Sequence, residues 1–398
     1  ELYTQYIRAL RDADALAHYL RDSGRFPLTS GGRINTYAVF AGLTRQVMAP
    51  TAYAGIIVPL GIATDYTYRD FFADIMESGQ LASLHDFENR EGIFPGVHRN
   101  YNFALITLVG TELPRTEAEF AFFMTHFSHL EEGERRFTLG NEDLTLINPN
   151  TRTCPIFSTR QDASLTRKVY RTSSVLVNEK EEKNPWGVTL RQGLFNMTSD
   201  SHLFRTRRQL EVEGFVLKGN RFVRSNEVYQ PLYESKMMHQ FDHRHGTFEG
   251  QSPEEIDKGY CREPSWSEYA DASFVVQPRY WLSEEEVTRV IEEIRHHWFL
   301  SFRDVTRAVD RRTATFTLLP WSAIGNQLPV VLSDDHQTHS FCAFLANVNS
   351  FAFDFVTRQK VAGIHMNFFI VKQLPVLPPD RYTPELLDFI VPRVVELT

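Results

Sequence analysis

The stretch AGIIVP at residues 54–59 decides the fold prediction. It is short, apolar and rich in β-branched residues, and a proline ends it, which is typical of a buried parallel strand. Apolar residues at helical spacing over 35–48 precede it, with Asn35 as a plausible cap, and predict a helix. The chain therefore enters this strand from a helix, as it does in an α/β sheet.

The pattern continues on the carboxyl side of this strand. Residues 66–78 predict a further helix, and residues 81–87 and 102–109 predict two strands in succession. Residues 30–110 thus alternate helix and strand and end on a strand pair. This is the pattern of the latter half of a doubly wound sheet with a hairpin at one edge.

The remaining segments are less regular, and no internal repeat or low-complexity tract is present. We predict a strand-like run at 313–319, a loop at 178–187, and helices at 2–22, 115–130, 161–171, 283–297, 341–357 and after Pro384. In the tail 361–379, Phe368, Phe369 and Ile370 are predicted core residues.

Composition limits the class of protein. The chain has 398 residues, 42% of them apolar and 23% charged, which excludes a wholly disordered, collagen-like or disulfide-scaffold protein. This length suggests two or three domains. A net charge of −8 argues against a generic basic nucleic-acid coat protein, although a cleft can still be locally basic.

No targeting or membrane signal is found. There is no long apolar stretch and no signal peptide, so we expect no membrane span. Cys154, Cys261 and Cys342 are widely spaced, which fits a reducing cytoplasm and no zinc site. Because the chain does not begin with Met, we expect it to be part of a longer protein.

Phosphate-binding motifs are also missing. Neither G-x-G-x-x-G nor G-x-x-x-x-G-K-[ST] occurs, and Gly31-Gly32 lies in a predicted loop rather than after a strand.

Several long segments resemble one family, the N6-adenine DNA methyltransferases of large fused restriction–modification enzymes and related phage-defence systems. The resemblance covers nearly the whole chain. Its segments are INTYAVFAGLTRQVMAP with AGIIVPLGIATD, HDFENREGIFPGVHRNYNFALITL, LTLINPNTRTCPIF, PLYESKMMHQFDHR and RQKVAGIHMNFFIVKQLPVLPP.

Two motifs of that family are absent. The chain lacks the aromatic-x-Gly-x-Gly cofactor turn and the catalytic Asn/Asp-Pro-Pro-aromatic tetrapeptide; Asn148-Pro149-Asn150 and Asn184-Pro185-Trp186 do not match it. The resemblance therefore implies the C-terminal portion of such an enzyme, with no catalytic residue of its own and unknown cofactor-binding residues. The expected fold class is α/β: a partial Rossmann-like methyltransferase sheet (1–150) with its closing hairpin, followed by an α+β target-recognition domain (151–398).

The resemblance assigns a role to the loop after the first strand of the pair. Phe94 matches the aromatic residue that stacks on the flipped adenine, and Pro95-Gly96 beside it favours exposure at a loop tip. The alternative is that Phe94 is a core residue or only anchors the loop. Asn89, Arg90, Arg99 and Asn102 flank this loop and are predicted to contact DNA, with a plain solvated loop as the alternative.

Two stretches of the chain are locally basic. Residues 148–171 carry five basic residues against one acidic residue, and residues 203–224 carry six against two. Such excesses are candidate phosphate contacts, although a solvated charged face is the common alternative. The residues singled out for DNA contact are Arg152, Arg160, Arg205, Arg207, Arg208, Arg221 and Arg224.

Two other groups of residues have side chains suited to chemistry but the wrong spacing for it. In HQFDHRH, the residues His239, Asp242, His243 and His245 have the right types for a metal, but their spacing does not place them on one face, so no metal is predicted. Glu211, Glu213 and Lys218 lack the spacing of a nuclease site.

The sequence thus predicts part of an S-adenosylmethionine-dependent, site-specific DNA adenine-N6 methyltransferase in a bacterial or archaeal cytoplasm. This portion alone is expected to be inactive. Its expected partners are double-stranded DNA and the upstream half of the methyltransferase domain, on the same or a separate polypeptide. The alternative is a non-enzymatic DNA-binding specificity module that acts with a separate catalytic chain. A methyltransferase that acts on RNA or protein is a weaker third possibility.

Overall fold

The computed structural model describes residues 1–291, 298–333, 338–361 and 363–398. The chain forms two compact units. Unit 1 comprises residues 1–172 and 178–181, and unit 2 comprises residues 173–177 and 182–398. The functional division at residues 150 and 151 stays a prediction.

Unit 1 is built around one five-stranded mixed sheet in the order β1-β3-β2-β4-β5. Its strands are β1 (Tyr53–Val58), β2 (Leu81–Glu88), β3 (Asn102–Val109), β4 (Glu117–Met124) and β5 (Phe137–Gly140). Its helices are α1 (Leu2–Asp22), α2 (Thr36–Val47), α3 (Gly61–Thr64), α4 (Arg69–Glu77), α5 (Asn141–Ile147) and α6 (Arg160–Thr172).

Most of the predicted elements of unit 1 are confirmed. The helices predicted at 2–22, 35–48, 66–78 and 161–171 correspond to α1, α2, α4 and α6, and the two successive strands are β2 and β3. The cap of α2 differs, because the Asn35 side chain makes no capping bond. Its amide donates instead to the Tyr68 hydroxyl at 3.0 Å.

The strand predicted at 54–59 is present as β1, but the prediction that it is buried and parallel to its neighbours is wrong. β1 pairs antiparallel with β3 and is an edge strand, with Tyr53 and Ile57 exposed. The hairpin of β2 and β3 consequently lies inside the sheet rather than at its edge. An apolar run shows that a strand is favourable, but it does not show which neighbours the strand will find.

The helix predicted over 115–130 is also wrong, since residues 117–124 form β4. Ala118, Phe120, Phe122 and Met124 are buried at every second position, which is the spacing of a strand. The Phe120 and Phe122 rings stack with centroids 6.2 Å apart. Burying such a ring stabilises the fold by about 1.5–3 kcal/mol. The local sequence fits either a helix or a strand, and the packing of these rings favours the strand.

Unit 2 contains two further sheets and several short helices. The first has the order β10-β9-β8-β7, with β13 parallel to β9, and the second has the order β12-β11-β14-β6. Together the sheets and helices make this an α/β protein. The strands are β6 (Val188–Arg191), β7 (Val216–Lys218), β8 (Arg221–Arg224), β9 (Glu227–Tyr233), β10 (Trp281–Ser283), β11 (Trp298–Phe302), β12 (Phe316–Pro320), β13 (Ala323–Ile324) and β14 (Val330–Ser333). The helices are α7 (Arg207–Val212), α8 (Pro253–Asp257), α9 (Trp266–Ala270), α10 (Glu284–Ile291), α11 (Thr338–Val348), α12 (Phe351–Lys360), α13 (Phe368–Val371) and α14 (Pro384–Leu397).

The predictions in unit 2 have mixed outcomes. The strand at 313–319 is β12 and the helix after Pro384 is α14. The helix at 283–297 is α10 as far as Ile291, and residues 292–297 lie outside the described residues. Of the predicted core residues in the tail, Ile370 is buried, whereas Phe368 and Phe369 are half-buried.

The helix predicted at 341–357 is two helices, α11 and α12, and polar side chains cause the break. The Ser350 hydroxyl accepts from the Phe353 N–H at 3.2 Å and so caps α12. The buried Asn349 side chain donates to the Phe316 carbonyl at 2.9 Å and accepts from the Phe316 N–H at 3.1 Å. These bonds end one helix and start the next against β12.

No helix in the described ranges is both long and apolar enough to cross a membrane.

One buried carboxyl stands out in the sheet of unit 1. Asp86 on β2 is fully buried, and its Oδ2 accepts from the Phe123 N–H at 3.2 Å. Its Oδ1 has no hydrogen-bond partner in the part of the chain that the structure describes. Burial raises the pKa of Asp86 to about 7. The pairing of β2 with β4 shifts register at this point, and Phe123 has a left-handed backbone with φ of 57°.

We predict that Asp86 makes unfolding pH-dependent. Its pKa is about 7 in the folded chain and near 4 when unfolded. The folded state therefore holds the proton more tightly, and stability falls as pH rises from about 4 to about 7, by up to about 4 kcal/mol. Asp86→Asn should flatten this decline in the unfolding free energy measured by denaturant titration at several pH values.

Asp70→Asn, which changes an exposed carboxyl on α4, is the matched control and should leave the decline in place. An unchanged pH slope in the Asp86→Asn variant would contradict the assignment.

Candidate nucleic-acid interface

Residues 89–101 connect β2 to β3 and contain the predicted base-stacking residue; we call them the aromatic loop. The side chain of Asn89, which is fully buried, organises it. Its Nδ2 donates to the carbonyls of Phe94 at 3.0 Å and Val97 at 2.9 Å. Its Oδ1 accepts from the Phe94 N–H at 2.9 Å. One amide group thus takes the place of strand pairing for a loop that has none.

Phe94 is held on one side and open on the other. Its ring packs edge-on against Phe103, with centroids 4.8 Å apart and planes at 74°. Phe103 in turn stacks on Phe87 at 5.5 Å, within a buried cluster that includes Met124. Phe94 nevertheless remains 36% exposed. The ring is therefore both a loop anchor and an accessible aromatic surface.

The predicted DNA contacts of this loop separate into two groups. Arg90, Arg99 and Asn102 are exposed. Arg90 forms an ion pair with Glu88, and Arg99 Nη1 donates to the Arg90 carbonyl at 2.8 Å. Asn89, by contrast, has both N–H groups engaged inside the loop. Its observed place is to shape the loop, and a direct DNA contact by Asn89 is not available in this arrangement.

Arg152 is an internal tether. Its guanidinium pairs with Glu77 at the end of α4 and donates to Asn141 at the start of α5, and its side chain is only 15% exposed. The predicted phosphate contact at Arg152 conflicts with this burial. Sequence reasoning could not foresee it, because Glu77 lies far away along the chain.

Arg160 lies at the start of α6 beside an open cavity of about 890 Å³. Its Nε and Nη2 donate to the carbonyls of Arg136 at 3.2 Å and Gly133 at 3.0 Å. Lys168, one of the cavity-lining residues, is exposed and has no ion-pair partner among the described residues. The charged residues that line this cavity are Arg160, Arg167, Lys168 and Glu134, and Arg167 also pairs with Asp143 at 3.4 Å.

Two of the six basic residues in the stretch 203–224 are neutralised by carboxylates. Arg207 pairs with Glu211 at 2.9 Å and Glu249 at 2.8 Å, and these carboxylates raise the pKa of Arg207. Arg224 pairs with Glu227 at 2.9 Å.

The other predicted contacts in this stretch differ. The Arg205 guanidinium donates to the carbonyls of His202 and Phe204 at 3.2 and 3.3 Å. Arg208 and Arg221 are exposed and have no acidic partner in the ranges that the structure describes. The number of basic residues in this stretch of sequence is therefore larger than the number that are free to bind phosphate.

The HQFDHRH segment is a hydrogen-bonded turn. Asp242 accepts from the Arg244 N–H at 2.7 Å and from the Tyr269 hydroxyl at 3.0 Å. The rings of His239 and His245 lie 4.8 Å apart, and burial lowers the pKa of His239 to about 4. Within the described residues, no three His, Cys, Asp or Glu side chains form a group that could hold a metal.

Comparisons with known proteins do not show a family for this chain. No protein-family model and no curated protein matches the chain. Among solved structures, the type IIG restriction endonuclease BpuSI is similar over 93% of this chain at 13% identity, with a TM-score of 0.34. This chain spans 45% of that chain's length. A likeness at this level supports no conclusion about function.

We predict that Asn89→Ala loosens the aromatic loop. The change removes three hydrogen bonds, so the Phe94 N–H and the Val97 carbonyl lose their Asn89 partner while the Phe94 carbonyl keeps the Val97 N–H, at a cost of about 1–3 kcal/mol. Hydrogen exchange at amides 92–101 should accelerate, and the thermal midpoint should fall. Asn100→Ala, an exposed position in the same loop, serves as the control. Unchanged protection of these amides in Asn89→Ala would show that the amide does not hold the loop.

Proposed function

We propose that this chain is the base-flipping and target-recognition portion of a site-specific DNA adenine-N6 methyltransferase of the restriction–modification or phage-defence type. The observation that carries the proposal is Phe94, an aromatic ring half-open to solvent on a loop that a buried amide holds in shape. An enzyme that modifies a base within a duplex must take the base out of the stack, at a cost of a few kcal/mol. Stacking on an aromatic ring returns about 1–3 kcal/mol of that cost.

The charges beside Phe94 support the same proposal. Arg90 and Arg99 are exposed in the aromatic loop, and Asn102 follows at the start of β3. Guanidinium groups present several donors in a fixed plane and suit phosphate oxygens. A base stacked on Phe94 would bring its flanking phosphates near these side chains.

The cofactor implied by the resemblance does not fit this chain by itself. S-adenosylmethionine would need a glycine-rich turn between a strand and a helix, whereas Gly31-Gly32 lies between two helices, α1 and α2. Within the described part of the chain no strand precedes that glycine pair. We therefore derive no methyl-transfer step here, and we assign cofactor binding to the proposed upstream half.

An uncovered sheet edge in unit 1 is consistent with such an upstream half. β1 is an edge strand whose Tyr53 and Ile57 side chains are exposed, and Phe40 on α2, which packs against β1, is exposed as well. Exposed apolar groups beside an open strand edge favour pairing with further strands. We propose that the upstream half adds to β1. It can be on the same polypeptide or, in the alternative of a separate specificity module, on another chain.

The first test is duplex binding by the 398-residue chain. Its affinity for double-stranded DNA of mixed sequence should fall steeply as salt increases, because phosphate contacts release counterions. Added S-adenosylmethionine should change it little, since the cofactor turn is missing. Selection from a random duplex library should then enrich one sequence. Binding that is absent at low salt, or that never enriches a sequence, would contradict the proposal.

The second test concerns Phe94. On a selected duplex with 2-aminopurine at the target adenine, binding should raise the fluorescence as that base leaves the stack. Phe94→Ala should abolish most of the rise and weaken binding about tenfold, from the stacking lost. Phe94→Tyr keeps the ring and should retain both signals. Equal fluorescence in Phe94→Ala would mean that this ring does not receive the base.

A further inference from the structure

Two cations face each other across the β7–β8 hairpin. Lys218 and Arg221 are directly opposite in the antiparallel register of these strands. Both side chains are exposed, and neither has a carboxylate partner among the described residues. Like charges at facing positions of a sheet reduce stability. The folded chain thus carries an unfavourable pair that no carboxylate in the described part of unit 2 offsets.

This pair differs from two other cations of the same basic stretch. Arg207 and Arg224, which belong to the same basic stretch, are neutralised by Glu211, Glu249 and Glu227. The whole chain has a net charge of −8, so anions for pairing are not scarce. Two uncompensated cations at one hairpin end therefore mark a local site for an external anion.

Two side-chain hydrogen bonds hold the turn between β7 and β8. The Trp281 Nε1 donates to the Asn220 carbonyl at 2.8 Å, and the Gln277 Nε2 donates to the Gly219 carbonyl at 2.8 Å. Trp281 is buried and packs edge-on against Phe222 at 5.0 Å. Gly219 adopts a φ of 63°, which favours glycine. A turn held in this way loses little backbone entropy when a ligand binds.

Strand alternation separates the two faces of the hairpin. Leu217 and Phe222 pack into the core cluster of Leu210, Phe215 and Trp281. Lys218 and Arg221 lie on the opposite face, which they share with Val216, itself 60% exposed. β7 is also the last strand of its sheet. Lys218 therefore lies on the edge strand, and Arg221 lies beside it on β8.

We infer that Lys218 and Arg221 form a phosphate-contacting site of unit 2 for the backbone of duplex DNA. This inference rests on the proposed function and names residues that carry part of it. The ammonium supplies a point charge and the guanidinium a planar set of donors, so both can bind phosphate oxygens. An anion near both side chains reduces the repulsion between them. The relief of this repulsion adds to the free energy of phosphate binding. The sequence counted Lys218 in the basic stretch at 203–224 but did not single it out for DNA contact, and its position opposite Arg221 depends on strand register.

The test is the salt dependence of duplex binding by the 398-residue chain. Each of Lys218→Gln and Arg221→Gln should reduce the slope of log affinity against log salt by about 0.9, and the double variant by about twice that. At low salt the double variant should bind mixed-sequence duplex about tenfold more weakly. The matched control is Lys258→Gln with Arg289→Gln, which removes one Lys and one Arg that are already paired, with Glu254 and Glu286.

A second measurement separates this role from a structural one. Removing facing like charges should leave the thermal midpoint of the double variant unchanged or slightly raised, so its weaker binding would not come from unfolding. A double variant with the slope of the unchanged chain would overturn the inference while the proposed function stands. Absence of salt-dependent duplex binding by the unchanged chain would overturn both. If the double variant loses affinity only for single-stranded DNA, the assignment of this site to duplex DNA is overturned.

Discussion

The candidate site depends on one buried amide. The aromatic loop has no strand partner, so its backbone groups must find hydrogen bonds elsewhere or remain buried and unpaired. Asn89 meets this requirement with three bonds to Phe94 and Val97, and its own burial makes those bonds strong. The exposure of Phe94 follows from this arrangement. The backbone is tied down at the residue itself, while the ring edge rests on Phe103.

Whether a basic residue of this chain can bind phosphate depends on whether a carboxylate already pairs with it. Arg152, Arg207 and Arg224 were grouped by sequence with Arg208 and Arg221, yet the first three pair with carboxylates. A guanidinium that already binds a carboxylate offers little to a phosphate. In these regions the cations with no carboxylate partner among the described residues include Arg99 in the aromatic loop, Lys168 on α6, and Lys218 and Arg221 at the end of the β7–β8 hairpin.

Sequence pattern predicted the elements whose signal is local and strong. β3 has its predicted bounds, and α1, α2 and α4 are close to theirs. It failed for β4, where apolar residues fit either a helix or a strand and only packing against the sheet decides. It also joined α11 and α12, because the bonds that Asn349 makes with Phe316 connect distant parts of the chain.

By itself the sequence determined the class of the protein, the longer helices α1, α2, α4, α6 and α14, the strands β1, β2, β3 and β12, and a loop with an aromatic residue beside a Pro-Gly turn. These follow from composition, periodicity and turn chemistry, which neighbouring residues carry. Only the tertiary structure decided the strand order, the edge position of β1, the role of Asn89 inside the loop and which cations are free. Each of these depends on contacts between residues far apart in the chain, and local patterns do not encode such contacts.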